Sequence, residues 1–148
     1  MPDSTSGSLH IVCSKCQAIN RVISDKLIDN PTCGKCGELV LSSNPLDLND
    51  STFERFISKT DLPVLVDFWA PWCGHCRTMA PSFEAAAKEL FPKILTVKVD
   101  TENSKAMAAR FNIRSLPTIA IFKKGSEVNR ISGAMSTQQI VEWAKSYL

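Results

Sequence analysis

The sequence predicts an α/β fold, a mixed central sheet with helices on both faces, preceded by a small cysteine-rich module. Three observations carry this. From residue 50 onward, short apolar runs alternate with helically spaced ones, and two late runs meet around Lys123-Lys124-Gly125-Ser126, a hairpin signal. Residues 9–41 hold four of the six cysteines and few large apolar side chains, so that stretch needs a cross-link to fold. The cysteines fall as three Cys-x-x-Cys pairs, a spacing that suits metal sites and redox motifs.

The elements follow in order. Residues 1–8 are polar, have no signal-peptide pattern and are expected to be a disordered tail. Residues 9–41 form the first module, and 42–49, Ser-Ser-Asn-Pro-Leu-Asp-Leu-Asn, read as a linker. The larger domain spans 50–148. Phe53, Phe56 and Ile57 have helical spacing, with Asp50 or Ser51 as N-cap. Val64–Trp69 is nearly continuous in apolar character, as in a strand buried on both faces. A helix from about Cys76 to Leu90 contains Pro81, which predicts a kink. Ile94–Asp100 reads as a second strand. Residues 103–111 read as a short helix with Ala106, Met107 and Phe111 facing the core. Thr118–Phe122 and Val128–Ile131 are the hairpin strands, and Ser136–Tyr147 closes the chain as a helix.

Composition narrows the function. The 148 residues carry 17 basic and 15 acidic side chains, a balance that argues against a nucleic-acid footprint. No apolar run approaches the roughly 18 residues of a membrane span. The absence of a signal pattern makes a reducing cytoplasm the expected compartment, where cysteines paired two apart suit metal sites and redox motifs.

Cys73-Gly74-His75-Cys76 follows a buried strand and opens a helix. A helix N-terminus stabilises a thiolate at Cys73 through its unpaired amides and dipole. Cys76, one turn inside, is placed to attack a mixed disulfide formed at Cys73. Gly74 lets a substrate backbone approach. The competing reading of this pair, half a zinc site, loses ground because the other two pairs complete a site by themselves. Cys13/Cys16 and Cys33/Cys36 are separated by 16 residues, which fits the two-knuckle zinc pattern. Four thiolates give a closed tetrahedral site, so one structural zinc per chain is expected, and His10 is a surface residue.

The stretch Asp67-Phe68-Trp69-Ala70-Pro71-Trp72-Cys73-Gly74-His75-Cys76, with Pro81, Val97-Lys98-Val99-Asp100, Ile113-Arg114-Ser115-Leu116-Pro117-Thr118, Gly125 and Gly133, resembles the thioredoxin family over about residues 46–148. The first module resembles a zinc ribbon, and nearly the whole chain is similar to the zinc-binding bacterial thioredoxins. The resemblance implies a thioredoxin fold and a protein disulfide reductase, recycled by thioredoxin reductase and NADPH. It implies Cys73 as attacking thiolate, Cys76 as resolving thiol, Asp67 as base, Lys98 as its partner, and Pro117 as a cis-proline opposite the motif. Trp72, Gly74, His75, Pro117 and Gly133 would meet the substrate. His75 departs from the proline usual in thioredoxins and is typical of disulfide isomerases. It motivates an isomerase or oxidase alternative, with a reduction potential between about −270 and −180 mV. A reading from another class is a zinc-ribbon binding module on a thioredoxin scaffold.

Overall fold

A computed structural model describes residues 7–148. The N-terminal part is an antiparallel hairpin, β1 (Ser8–Val12) and β2 (Ile19–Ile23), followed by a 3-10 turn at Ser24–Lys26. The remainder holds β3 (Leu46–Leu48), α1 (Phe53–Lys59), β4 (Val64–Trp69), α2 (Gly74–Leu90), β5 (Leu95–Asp100), α3 (Lys105–Arg110), β6 (Thr118–Lys123), β7 (Ser126–Ser132) and α4 (Thr137–Lys145). One five-stranded sheet has the order β3-β5-β4-β6-β7. β3, β5 and β4 are parallel, while β6 and β7 run antiparallel.

Strand alternation sorts the core into two layers. Val64, Val66 and Phe68 of β4 pack with Val97, Val99, Phe122 and the α1 residues Phe53, Phe56 and Ile57. Leu65 packs on the other face with Ile119, Ile121 and the α2–α4 pair, through Met79, Phe83, Ile140 and Ala144. Asp67 therefore lies in the row of Leu65, on the sheet face that α2 covers. The β6–β7 turn has positive φ at both Lys124 and Gly125, the turn that matches strand twist in tight hairpins. α4 begins with a capping box between Ser136 and Gln139.

Several expectations change. Leu46–Leu48, read as linker, is the edge strand β3: Leu46, Asp47 and Leu48 pair with Val97, Lys98 and Val99, and Leu48 is buried. Turn chemistry is nevertheless present just beyond, where the Asn49 side chain accepts from the Ser51 amide at 2.9 Å. The cap of α1 is Thr52, not Asp50 or Ser51. Asp50 instead accepts from the Ala106 and Met107 amides at 3.3 and 3.0 Å, placing its charge at the start of α3. Ala106 is exposed, because α3 turns only Met107 fully inward. Of the expected tail, Met1–Ser6 lie outside the described residues, whereas Ser8 opens β1 and the Gly7 carbonyl accepts from the Ser24 amide at 2.9 Å. Pro81 sits within a single helix, Gly74–Leu90, which starts two residues earlier than expected.

The hairpin is packed against the larger unit. Ile11 and Val12 are fully buried in the cluster that includes Phe53, Phe56 and Ile57. The His10 and Asp61 backbones are joined by Asp61 N–H donating to the His10 carbonyl at 2.8 Å, and the His10 amide donates to the Asp61 carboxylate at 2.7 Å. Thr60 Oγ1 accepts from the Val12 amide at 3.2 Å. Arg55 Nε donates to the Gln17 carbonyl at 2.7 Å.

Candidate active site and metal centre

The apolar β4 carries the chain to Trp69 and the Ala70-Pro71-Trp72 turn, and α2 begins at once with Gly74. This places Cys73 as the N-cap of a 17-residue helix. Its Sγ accepts from the Cys76 amide at 3.2 Å, as a capping oxygen would. A negative charge developing there faces unpaired amides and the positive end of the helix. Cys73 and Cys76 are disulfide-bonded with Cα atoms 5.3 Å apart, within the ordinary range for such a bridge. Both are buried, against Ala70, Trp69 and Leu116.

The surface around the pair is open on one side. Trp72 is 64% exposed, and His75 and Gly74 are exposed beside it. A groove of about 500 Å³ runs between Trp72, Cys73 and His75 on one wall and Ile113, Arg114 and Leu116 on the other. The Leu116–Pro117 peptide is cis, as the resemblance implied. The Pro117 carbonyl accepts from the Gly133 amide at 2.9 Å, tying the two loops together. Gly133 has φ +106°, a conformation that side-chain-bearing residues rarely adopt.

Asp67 is 2% exposed, and among the described residues its Oδ1 has no hydrogen-bond partner. Burial disfavours its charge and pushes its pKa up to about 7, while Lys98 pulls the other way. Lys98 faces Asp67 across β4 and β5 in direct register. Its ammonium lies 4.5 Å from the centre of the Trp69 ring, a cation–π contact, beside a second cavity of about 340 Å³ that Ser104 also lines.

This buried carboxyl has a stability signature. Its folded pKa lies above the ordinary 3.8, so the folded state binds more protons than the unfolded chain between pH 3.8 and about 7. Stability contributed by the neutral carboxyl is complete below 3.8 and is lost as pH rises toward 7. Asp67→Asn is therefore expected to stabilise the chain at pH 8, by up to roughly 4 kcal/mol, and hardly at all at pH 4. Urea unfolding of both forms at the two pH values checks this. Equal stabilities at pH 8 would contradict it.

The other four cysteines come together. Cys13, Cys16, Cys33 and Cys36 present sulfurs that all lie within 4.8 Å of one another. Each pair sits on a tight turn, closed by the Gln17 amide on the Cys13 carbonyl and the Gly37 amide on the Cys33 carbonyl, both at 2.9 Å. Gln17 and Gly37 take φ of 69° and 80°, so the two knuckles repeat one geometry. The cross-knuckle separations are 3.6 Å for Cys13–Cys36 and 3.5 Å for Cys16–Cys33. Tetrahedral thiolates about 2.3 Å from a central ion would stand about 3.8 Å apart, so the donor set fits a closed four-sulfur metal site. Backbone hydrogen bonding at Cys36, the Asn20 carboxamide and the Lys35 amide hold the Cys33 thiol down to about 6, while burial and the neighbouring cysteines push Cys36 up to about 12, so a bound metal would have to displace a proton from the cluster. His10 contributes nothing to the cluster; it pairs with Asp61.

A disulfide-bonded pair at a helix N-terminus, beneath an open groove and beside a buried carboxyl, defines a thiol–disulfide oxidoreductase. The chain belongs to the thioredoxin family: the Thioredoxin family model matches residues 44–146. The model for the N-terminal zinc ribbon of thioredoxin 2 matches residues 12–38. Thioredoxin C-3 of Corynebacterium nephridii is 46% identical over 93% of this chain and 94% of that protein. The thioredoxin of Haemophilus influenzae is 36% identical over 72% of this chain and 99% of its own length. The spinach chloroplastic M-type thioredoxin is 40% identical over 69% of this chain and 56% of that protein. The chain is a protein-disulfide reductase whose redox pair is Cys73 and Cys76, joined to a four-cysteine metal-binding cluster.

The groove brings Cys73, Trp72, Gly74 and His75 together with Leu116, whose neighbour Pro117 is hydrogen-bonded to Gly133, while Asp67 and Lys98 form a pair in register within β4 and β5. Groove residues the sequence did not single out are Thr101 and Ala108, which carried no signal, whereas Ile113 and Leu116 stood in the motif that ends at Pro117-Thr118 without being given a role.

Proposed function

We propose that the chain reduces protein disulfides with Cys73 as the attacking sulfur and Cys76 as the resolving one. The observation that carries this reading is Cys73 at the α2 N-cap, accepting from the Cys76 amide. In the reduced chain the Cys73 thiolate attacks one substrate sulfur, and a mixed disulfide forms as the other leaves as a thiolate that takes a proton from solvent. Asp67 takes the Cys76 proton, and Cys76 attacks Cys73 to release the second substrate thiol. Two electrons and two protons pass to the substrate, and the chain is left with the Cys73–Cys76 disulfide. Thioredoxin reductase, drawing on NADPH, restores the dithiol. Trp72, Gly74, His75, Pro117 and Gly133 frame the substrate, and Lys98 moderates the Asp67 charge.

The cluster of Cys13, Cys16, Cys33 and Cys36 holds one structural zinc, which supplies a cross-link between the knuckles. Residues 9–41 form this metal module, and the redox domain begins with β3. Four closely placed thiols suit a reducing compartment, the cytoplasm.

Insulin reduction with thioredoxin reductase and NADPH, set against refolding of scrambled ribonuclease, tests the direction of exchange. Rapid insulin reduction with weak refolding is expected. Efficient refolding with slow insulin reduction would favour the isomerase reading, for which His75, exposed beside Cys73, is the motive. His75→Pro is expected to move the potential toward about −270 mV, by losing a side chain that stabilises the Cys73 thiolate. Equilibration of both forms with glutathione buffers measures it. An unchanged potential removes His75 from this role.

A further inference from the structure

The groove that exposes the redox pair has a one-signed rim. Its walls are largely apolar, through Trp72, Ile113 and Leu116, and among the described residues the only permanent charge lining it is Arg114. The shallow depression on the other side of His75 is bordered by Gly74, His75, Arg77 and Thr78. Arg77 is held at that edge by its Nη1 donating to the Pro71 carbonyl at 2.7 Å. Among the described residues no carboxylate lines either hollow.

Arg114 also differs from the nearby arginines in what it does for the fold. Arg110 pairs with Glu54, Arg130 with Glu127 and Arg77 with the Pro71 carbonyl, whereas the Arg114 side chain makes no ion pair or hydrogen bond among the described residues. It is exposed, yet the loop that carries it is fixed at both ends. The Ile113 amide donates to the Ala108 carbonyl at 2.9 Å, and Thr118 Oγ1 donates to the Ser115 carbonyl at 2.7 Å. An exposed guanidinium carried on a fixed loop beside apolar walls, with no ion-pair or hydrogen-bond partner among the described residues, is arranged to meet a carboxylate from outside. Its planar fork favours a bidentate contact, and low-dielectric walls strengthen the attraction.

We infer that Arg114 is a specificity-determining residue, selecting disulfide substrates that carry an acidic side chain next to the cysteine that seats in the groove. This names the substrate class of the proposed reductase and rests on that reading. The redox step is unchanged: the chain dithiol becomes a disulfide as the substrate disulfide becomes two thiols. Arg114 acts on the encounter and seating of the acidic segment, not on the exchanging sulfurs.

The test uses three disulfide peptides that differ only in Asp, Asn or Lys beside one cysteine. The fully reduced, zinc-loaded chain reduces each in single-turnover kinetics. Rates are divided by those of dithiothreitol on the same peptide, which removes differences in the peptides' own reactivity. An effect of Arg114 on the Cys73 thiolate acts on all three alike and cancels in the ratio. The Asp peptide is expected to be favoured over the Asn peptide about three- to fivefold, the scale of one partly exposed ion pair. The preference is expected to vanish in R114Q, to reverse toward Lys in R114E, and to weaken in high salt. Equal normalised rates for the three peptides, or a preference that survives in R114Q, would overturn the inference while leaving the reductase reading intact. Failure to reduce any of the three peptides would overturn both.

Discussion

Cys73→Ser is expected to end disulfide reduction, lowering kcat/KM for insulin by about 10³-fold or more, the scale on which removal of a nucleophile acts. The reason lies in the geometry of the helix start. Cys73 is the N-cap residue, and its sulfur alone receives the Cys76 amide. A serine keeps that cap, so the fold is retained while the thiolate is lost. Cys76→Ser divides the reaction differently. Cys73 still attacks, but nothing resolves the mixed disulfide, so a covalent chain–substrate adduct accumulates. Mass spectrometry of each variant after incubation with insulin distinguishes them: an adduct with Cys76→Ser and none with Cys73→Ser. Comparable adducts in both, or substantial insulin reduction by Cys73→Ser, would place the chemistry at other sulfurs.

Removal of the metal is expected to unfold residues 9–41 and to lower the stability of the whole chain. Structural zinc in comparable four-ligand modules contributes about 10–16 kcal/mol of binding free energy, most of it coupled to folding. The module has little else. Its two-stranded hairpin and the single Thr32–Leu39 bridge cannot bury a core of their own. What it buries is shared: Ile11 and Val12 sit under α1 with Phe53 and Phe56. Each such side chain contributes about 1.5–3 kcal/mol when buried, so releasing both costs the redox domain roughly 3–6 kcal/mol. For a chain of this size that corresponds to a fall in Tm of about 10 °C. The Val12 amide also loses Thr60, and Asp61 loses both its backbone contacts with His10. Hydrogen exchange and thermal unfolding, with and without a strong chelator, measure both effects. Cys33→Ser, which removes one ligand, is expected to act in the same direction. Unchanged protection over β1 and β2 after metal loss would contradict the account.

The parts of this protein that sequence reveals are those with local causes. Val64–Trp69 is legible because a strand buried on both faces reads as an uninterrupted apolar run. The motif after it is legible because the spacing of Cys73 and Cys76 matches one helical turn, and the N-terminal pairs because each knuckle is a short local turn. Family resemblance added Asp67, Lys98, Pro117 and Gly133, whose placement no local rule gives. The missed features are long-range. β3 is three residues long, too short for a periodic signal, and exists because the β5 edge pairs with it. Asp50 looked like a cap for α1 because it precedes that helix, but it folds over to the start of α3. The docking of β1 on α1 joins residues about fifty positions apart in sequence, and nothing in His10-Ile11-Val12 signals it. The groove around Cys73 likewise collects Thr101, which follows β5, and Ala108, which lies within α3.

The central claim is a division of labour among six cysteines: one pair exchanges electrons and four hold a metal. Its most direct test is differential alkylation of the zinc-loaded chain before and after a single turnover with insulin, read by mass spectrometry. The account predicts one new disulfide, Cys73–Cys76, with Cys13, Cys16, Cys33 and Cys36 unchanged and zinc retained. A new disulfide among those four, or cleavage of insulin with Cys73 and Cys76 still reduced, would contradict it.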